Sequence, residues 1–589
     1  MSGEPLPSQR PRTRIGLALA GIHIETPTNM KSREERRQKK LDKKAARHSG
    51  IAKVASRLTA QQSLDIRNSL ELAMRHHSAG DLTNAERIYK QILRINPNHA
   101  DALNLLGLHA YQAGKYDRAE KLIIKAIKTK PDFAEAHNHL GLTLQKQGRL
   151  EEAAVSFRKT ITLAPGFNLA VLNLGNVLLD LGRSEDAVGQ YHKVISREPK
   201  FVNAHYNLGN ALKKLGQFEN AATSYRNAIE IAPNFAEAHS NLGNVLQKLG
   251  EQEDAIIHYR EAISLSPGFA EAHYNLGITL MEAERPEEAI DQYNKAIAIQ
   301  PGYADAHESL GNAFKKLGRL EDAVHHYDLA EINSSRLKSL ECLYALERYD
   351  AFYEKLDSLI EVDEKNVYAA ALSTFVSHQL GRFNPHTFCK TPLAFVRGYM
   401  IHEDAEVRDA FLNDLLDEVK SRQADWEPKG KTTRGGFQTP SDLFKDPKGL
   451  IVELDRIIRE KIEDYRSEFR SDDCDFVRQW PNDGSLQGWS VRLLNGGAQA
   501  EHIHPDGWLS GVLYLQVPKF CQPDEGTIEF GLWGYDYPIL NEDYPKKRLY
   551  PENGKIVLFP SSLFHKTIPF QSDEERICIA FDLIPGKDA

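Results

Sequence analysis

The sequence predicts a multidomain molecule: an all-α array of stacked helical hairpins, then a β-rich jelly roll with supporting helices. Three observations predict it. The chain has 589 residues, too many for one hydrophobic core. From residue 66 it repeats with a fixed period of 34 residues. Beyond residue 381 the period stops, and short alternating apolar runs bounded by Gly, Pro, Asn and Asp take over, the pattern of strands and turns.

The period is read from three sets of landmarks. Leu-Gly pairs fall at 106/107, 140/141, 174/175, 208/209, 242/243, 276/277 and 310/311. Prolines recur from Pro97 to Pro301 and alanines from Ala85 to Ala323, each in steps of 34. That is the tetratricopeptide period, one helix–turn–helix per repeat. Gly175 and Ala187 let the two helices of a repeat approach, Tyr191 fills the gap towards the neighbour, and Gly182 makes the turn inside the pair. A single repeat cannot bury its apolar face, so stacking into a superhelix with a binding groove is compulsory. Eight repeats span 66–337, and degenerate helical repeats or a linker span 338–385.

Composition narrows the function classes. The net charge of −8 disfavours nucleic acid as partner of the chain as a whole. Residues 1–65 hold a basic run, 31–48, with nine Lys/Arg against three Asp/Glu and no interleaved aromatics, which reads as a solvated, disordered tail. Met30 offers a second start to Met1. No apolar run is long enough to span a membrane. Five scattered cysteines, Cys342, Cys389, Cys474, Cys521 and Cys578, with no CxxC, point to a reducing, cytoplasmic setting.

Residues 386–589 form the second domain. Leu393–Met400, Trp489–Leu494, Leu509–Val517, Thr527–Phe530, Lys555–Phe559 and Arg576–Leu583 read as strands. Helices are expected at about 404–424 and 446–470. Many short strands with flanking helices suggest a double-sheet jelly roll.

The chemistry concentrates in this domain. His504 and Asp506 stand two residues apart where a strand meets a turn, which places both on one face. His565 follows another strand, at the start of a turn, and Arg576 opens the last strand. Two imidazoles and a carboxylate form a facial ligand set suited to non-haem Fe(II). His502 shares the parity of His504, so His502, His504 and His565 are the alternative, three-histidine set. Ser510 and Tyr514 are candidates for lining a co-substrate pocket, with local packing the other reading. Trp489, Trp508 and Trp533 read as core.

Two resemblances follow from these residues. The repeats, with NLGN and AEAHxNLG runs, resemble the tetratricopeptide array of O-linked N-acetylglucosamine transferases. That likeness implies that Asn173, Asn207, Asn241 and Asn275, flanked by His139 and Ser309, grip the backbone of an extended peptide. No nucleotide-sugar domain follows residue 380. The C-terminal region resembles a family of 2-oxoglutarate/Fe(II)-dependent oxygenases often fused to such repeats. Thr433-Arg-Gly-Gly-Phe-Gln-Thr439, the run from His502 to Leu515, Gly526-Thr-Ile-Glu-Phe530 and Leu558-Phe-Pro-Ser-Ser-Leu-Phe-His565 carry the likeness. It implies a double-stranded β-helix with Fe(II) on His504, Asp506 and His565, and 2-oxoglutarate chelating the iron and pairing with Arg576, with O2 as oxidant. A carboxylate at 506 favours hydroxylation or oxidative demethylation over halogenation.

The leading expectation is therefore an oxygenase that hydroxylates a peptide or protein held by the repeats. The alternative is a protein-interaction scaffold with a non-catalytic or sensory oxygenase-like domain.

Overall fold

The computed structural model describes residues 60–520, 522–535 and 537–586. The basic run 31–48, both candidate starts and Cys521 lie outside the described residues. The chain divides into two compact units, Met1–Pro233 and Asn234–Ala589.

In the first unit, five helical hairpins follow one another, from Ala60–Ser78 with Leu82–Ile95 to Val202–Lys214 with Phe218–Ile231. Close approach inside the last four of these hairpins depends on one glycine. A Cβ at Gly175 would stand 2.6 Å from the Tyr191 ring, and one at Gly209 2.6 Å from Tyr225. Both rings are wholly buried, and a buried aromatic of this size stabilises by about 2 kcal/mol. Their hydroxyls donate to the second asparagine of each NLGN run, Tyr191 to Asn176 at 2.9 Å and Tyr225 to Asn210 at 2.7 Å. The motif thus carries a packing glycine and the amide that satisfies the packed phenol.

The second unit begins with three further hairpins, ending in Ala304–Lys316 and Leu320–Ala330. In one of them the turn glycine is replaced by Glu284, which takes the left-handed φ of 57° nonetheless. An irregular pair, Asn333–Ala345 and Tyr349–Val362, and the single helix Val367–Leu380 follow. These last helices share a core with the β domain: Leu340, Leu356, Leu372 and Phe375 cluster with Phe530, Leu563 and Phe564. Gln379 fastens the seam, accepting from Leu540 N and Asn541 N at 2.8 Å each.

The β domain is one curled antiparallel sheet of ten strands: β1 (Arg397–Met400), β2 (Asp425–Trp426), β3 (Thr433–Gln438), β4 (Ser485–His502), β5 (Leu509–Gln516), β6 (Ile528–Gly531), β7 (Lys546–Leu549), β8 (Lys555–Pro560), β9 (Phe564–Thr567) and β10 (Arg576–Ile584). The main path is β1-β8-β5-β10-β4-β9-β6-β7, with β3 on β4 and β2 on β3. Strand β4 makes the sheet double. Its first half pairs with β10 over Ser485–Leu493, and its end pairs with β9 at Gln499 and His502. Between them β3 and β4 bend together, with Gly435 and Gly496 at φ 60° and 76° and a register shift opposite. Only glycine tolerates such φ values cheaply, and such bulges are how a sheet turns a corner.

The helices Ala405–Lys420 and Leu450–Glu468 stand where the sequence expects them. Three strand expectations change. Leu393–Met400 splits into a 3-10 turn, Pro392–Phe395, and β1, because the proline fixes a turn. Strand β4 runs unbroken through Asn495-Gly-Gly497. His565 lies inside β9 and not in a turn.

Candidate metal centre

The register of β4 on β9 sets His502 directly opposite His565, and opposed residues of an antiparallel pair face the same side. Their ring centroids lie 4.3 Å apart. His504 follows two residues beyond the end of β4, its ring 5.1 Å from each of the others. The ligand nitrogens of His502, His504 and His565 all lie within 4.8 Å of one another.

Each ring is held by its Nδ1. His502 Nδ1 donates to Ala500 O at 2.7 Å and His565 Nδ1 to Leu563 O at 3.1 Å. His504 Nδ1 donates to Asp582 Oδ1 at 2.5 Å. Carbonyl and carboxylate oxygens only accept, so each Nδ1 carries a proton and each Nε2 points away from these supports. Burial, reinforced by the neighbouring imidazoles, pushes His502 down to about 3 and His565 well below its ordinary value. Both rings are therefore neutral at physiological pH, the state a metal requires.

Asp582 is the outer support. Its Oδ1 also accepts from Ser510 Oγ at 2.7 Å, and Ser510 touches Ser561 Oγ at 2.8 Å. A carboxylate behind a histidine fixes its tautomer and raises its basicity towards a metal.

The sequence-predicted residues are thus only partly brought together. His504 and His565 meet. The ring nitrogens that lie near one another are those of His502, His504 and His565, the alternative set, while Asp506 lines the same cavity as His502 and His504. Locally, β4 ends at His502, and residues 504–507 form a turn in which Gly507 N donates to His504 O at 3.0 Å. The two-residue parity of a strand does not extend into a turn, and the Asp506 side chain is exposed. Ser510, expected at a co-substrate, spends its hydroxyl on Asp582 and Ser561.

Arg576 and Tyr514 suit an acidic co-substrate. Arg576 is 1% exposed. Its Nε donates to Gly526 O at 3.2 Å, and its guanidinium lies 5.0 Å from the Tyr514 ring centroid. No carboxylate pairs with it among the described residues. Beside it the Tyr514 hydroxyl is buried without a partner, and burial pushes its pKa up to about 12, so it stays a donor. A buried guanidinium without a counter-charge and an orphaned donor are costly unless a bound anion completes them. These residues fit the distal carboxylate of 2-oxoglutarate, as the three Nε2 atoms fit Fe(II).

His502 and His504 open onto a cavity of about 500 Å³ lined also by Gln487, Trp489, Gln499, Asp506 and Tyr535. Sequence reasoning placed Trp489 in the core. Its ring lies 5.6 Å from His504 and its Nε1 has no partner. The signal that could have found it is parity, since Gln487 and Trp489 share one face of β4. Trp508 and Trp533 do bond inside the fold, to Phe476 O and Tyr537 O.

On the repeats, Asn207 Nδ2 donates to Asn176 Oδ1 at 2.8 Å, and Asn173, Asn241 and Asn275 are half-buried on the first helices of their hairpins. His139 Nδ1 meets Asn104 Oδ1 at 2.9 Å.

Comparison with known proteins agrees with this division. Residues 487–582 match the family described as "Putative 2OG-Fe(II) oxygenase". Tetratricopeptide repeat families match 76–141, 134–167 and four segments from 175 to 318. Among curated proteins none matches. Solved structures that resemble the chain include MamA (26% identity, 28% of this chain and 97% of that one, TM-score 0.27). Another is YrrB, described as a TPR protein with an unusual peptide-binding site (28% identity, 31% and 95%, TM-score 0.28). A third is a tetratricopeptide repeat protein from Parabacteroides merdae (17% identity, 42% and 98%, TM-score 0.35).

Proposed function

Since the chain joins tetratricopeptide repeats to a C-terminal domain of a 2OG-Fe(II) oxygenase family, we propose that it is an Fe(II)- and 2-oxoglutarate-dependent oxygenase that hydroxylates a peptide or protein substrate. The observation that carries the reading is the convergence of three imidazole rings, each fixed through its Nδ1. His502, His504 and His565 hold the iron, and Arg576 with Tyr514 holds the distal carboxylate of the co-substrate. When bound, iron, 2-oxoglutarate and O2 supply a two-electron oxidation: one oxygen atom enters a substrate C–H bond and the other enters succinate, with loss of CO2. Asp582 keeps the His504 ring in its productive tautomer. Trp489, Gln487 and Gln499 line the space in which the substrate is oriented. Asn173 and Asn207 in the first unit, and Asn241 and Asn275 in the second, are peptide-binding positions on their own helices, an amide being able to donate to and accept from a peptide group.

Among the described residues no helix is long and apolar enough to cross a membrane. Cys342, Cys389, Cys474 and Cys578 are free thiols, which fits a reducing, cytoplasmic setting.

The test needs no substrate. The metal-free chain is given Fe(II) and then 2-oxoglutarate without oxygen, and the visible charge-transfer absorption of the chelated keto acid is recorded. A band weakened by His502→Ala and Arg576→Ala supports the reading. No band and no retained iron would leave a repeat scaffold with a silent jelly roll.

A further inference from the structure

The cavity beside the histidines continues past them. Pro505, Asp506 and Tyr535 line it and also line a second cleft of about 590 Å³. The far wall of that cleft belongs to the repeats. Lys315 comes from the helix Ala304–Lys316, Ser334 and Glu341 from Asn333–Ala345, and Tyr368 from Val367–Leu380. The first two open successive helical pairs, and the third is the single helix that follows them. Packed helices stand 8–10 Å apart, so three of them span about 20 Å, the length of about six extended residues. A small metabolite does not need such a length, and a peptide segment does.

A rigid ledge separates the cleft from the metal cavity. The rings of Tyr368 and Tyr535 stack at 5.6 Å and 8°, and the Tyr368 and Tyr537 hydroxyls meet at 3.0 Å. The Tyr535 hydroxyl accepts from Ile503 N at 3.4 Å, the residue between His502 and His504. Tyr535 keeps a left-handed φ of 52°, a strained backbone that an aromatic side chain adopts only when its surroundings hold it there.

The charges on the helical wall are already matched. Lys315 pairs with Glu341, which also accepts from Tyr368, and Lys338 pairs with Glu308 at 2.7 Å. Asp506 is different. It is the one charged residue common to cleft and cavity, it is exposed, and no hydrogen bond or ion pair engages it among the described residues. Left out of the histidine cluster, its carboxylate stands where a chain entering from the repeats would pass towards the metal.

We propose that this cleft is the substrate entrance, that it takes an extended peptide segment, and that Asp506 pairs with a lysine or arginine beside the residue being oxidised. The proposal rests on the oxygenase reading for what happens at the metal. Binding in the cleft is separable from it.

The experiment uses the full chain with two pools of degenerate decapeptides, each carrying a central benzoylphenylalanine flanked by Lys in one pool and Glu in the other. Cross-links are mapped by mass spectrometry, and the Fe(II)/2-oxoglutarate band is recorded for every variant. The Lys pool is expected to cross-link within 334–341, at 366–368 or at 535, about fivefold more efficiently than the Glu pool, as for one partly exposed ion pair. Ser334→Arg, an exposed position on the repeat side, lowers capture, and Asp506→Lys reverses the preference with the band intact. Cross-links confined to other surfaces, equal capture of the two pools, or a Lys preference surviving Asp506→Lys would overturn the proposal. So would loss of the band in Asp506→Lys, which would make Asp506 a ligand. Loss of the band in the parent chain alone would overturn the oxygenase reading and leave the cleft to be judged by its cross-links.

Discussion

Replacing Asp582 tests the metal centre without touching a ligand. Its Oδ1 accepts from both His504 Nδ1 at 2.5 Å and Ser510 Oγ at 2.7 Å, and both members of the His504–Asp582 pair have side chains no more than 10% exposed. Asp582→Asn keeps an oxygen but loses its charge, and a charge-assisted hydrogen bond is about twice as strong as a neutral one. Asp582→Ala leaves His504 Nδ1 and Ser510 both unpaired. Outer partners of ligating histidines are worth about 10- to 100-fold in metal affinity, or roughly 1.4–2.8 kcal/mol at 1.4 kcal/mol per decade. Asparagine is therefore expected at the tenfold end and alanine at the hundredfold end. The assay is an anaerobic Fe(II) titration against a competing chelator, with Asp506→Asn and His502→Ala measured alongside. Asp506→Asn should bind iron like the parent, and His502→Ala should bind far more weakly. The reasoning is refuted if the Asp582 variants bind normally while Asp506→Asn loses iron, for the centre would then be assembled from the turn and not from the sheet.

Three other outcomes are expected. Tyr514→Phe removes a hydroxyl that is buried and unpaired, so the 2-oxoglutarate concentration at half-maximal band should rise about tenfold while thermal stability holds, a charged hydrogen bond being worth about 1.5–3 kcal/mol; unchanged affinity would place the co-substrate elsewhere. Glu284→Gly relieves an exposed left-handed residue, a gain of roughly 1–2 kcal/mol offset by about 0.4–1 kcal/mol of added unfolded-state entropy, and should raise the urea midpoint. His386, 1% exposed, accepts from Phe388 N at 3.3 Å and leaves Nε2 without a partner, and burial pushes its pKa down to about 4. The unfolded chain binds that proton from about pH 6.5 downwards, so stability is retained above 6.5 and lost as pH falls from there towards 4, by about 2 kcal/mol at pH 5. His386→Asn should flatten that part of the melting-temperature profile, and an unchanged slope would refute the assignment.

The repeat architecture was legible because it is written in local chemistry. A 34-residue step in Leu-Gly, Ala and Pro dictates helices, turns and close approach with contacts between near neighbours in sequence. The same physics left Asn176 and Asn210 unread, since their partners are phenols one helix later. In the β domain, residue types and strand parity identified His504 and His565, left Asp506 and His502 as alternative third members, and singled out Arg576. Which third side chain joins them was decided by tertiary structure. His565 becomes a strand residue because β9 finds β4 and β6 on either side, a pairing that four residues, Phe564–Thr567, cannot announce by themselves. Once it does, register sets His502 across from it, and the turn after β4 leaves Asp506 exposed in the lining of the same cavity. Strand parity is a property of one segment and can be read from sequence. Register between strands more than sixty residues apart depends on the closure of the whole sheet, and only the folded chain decides it.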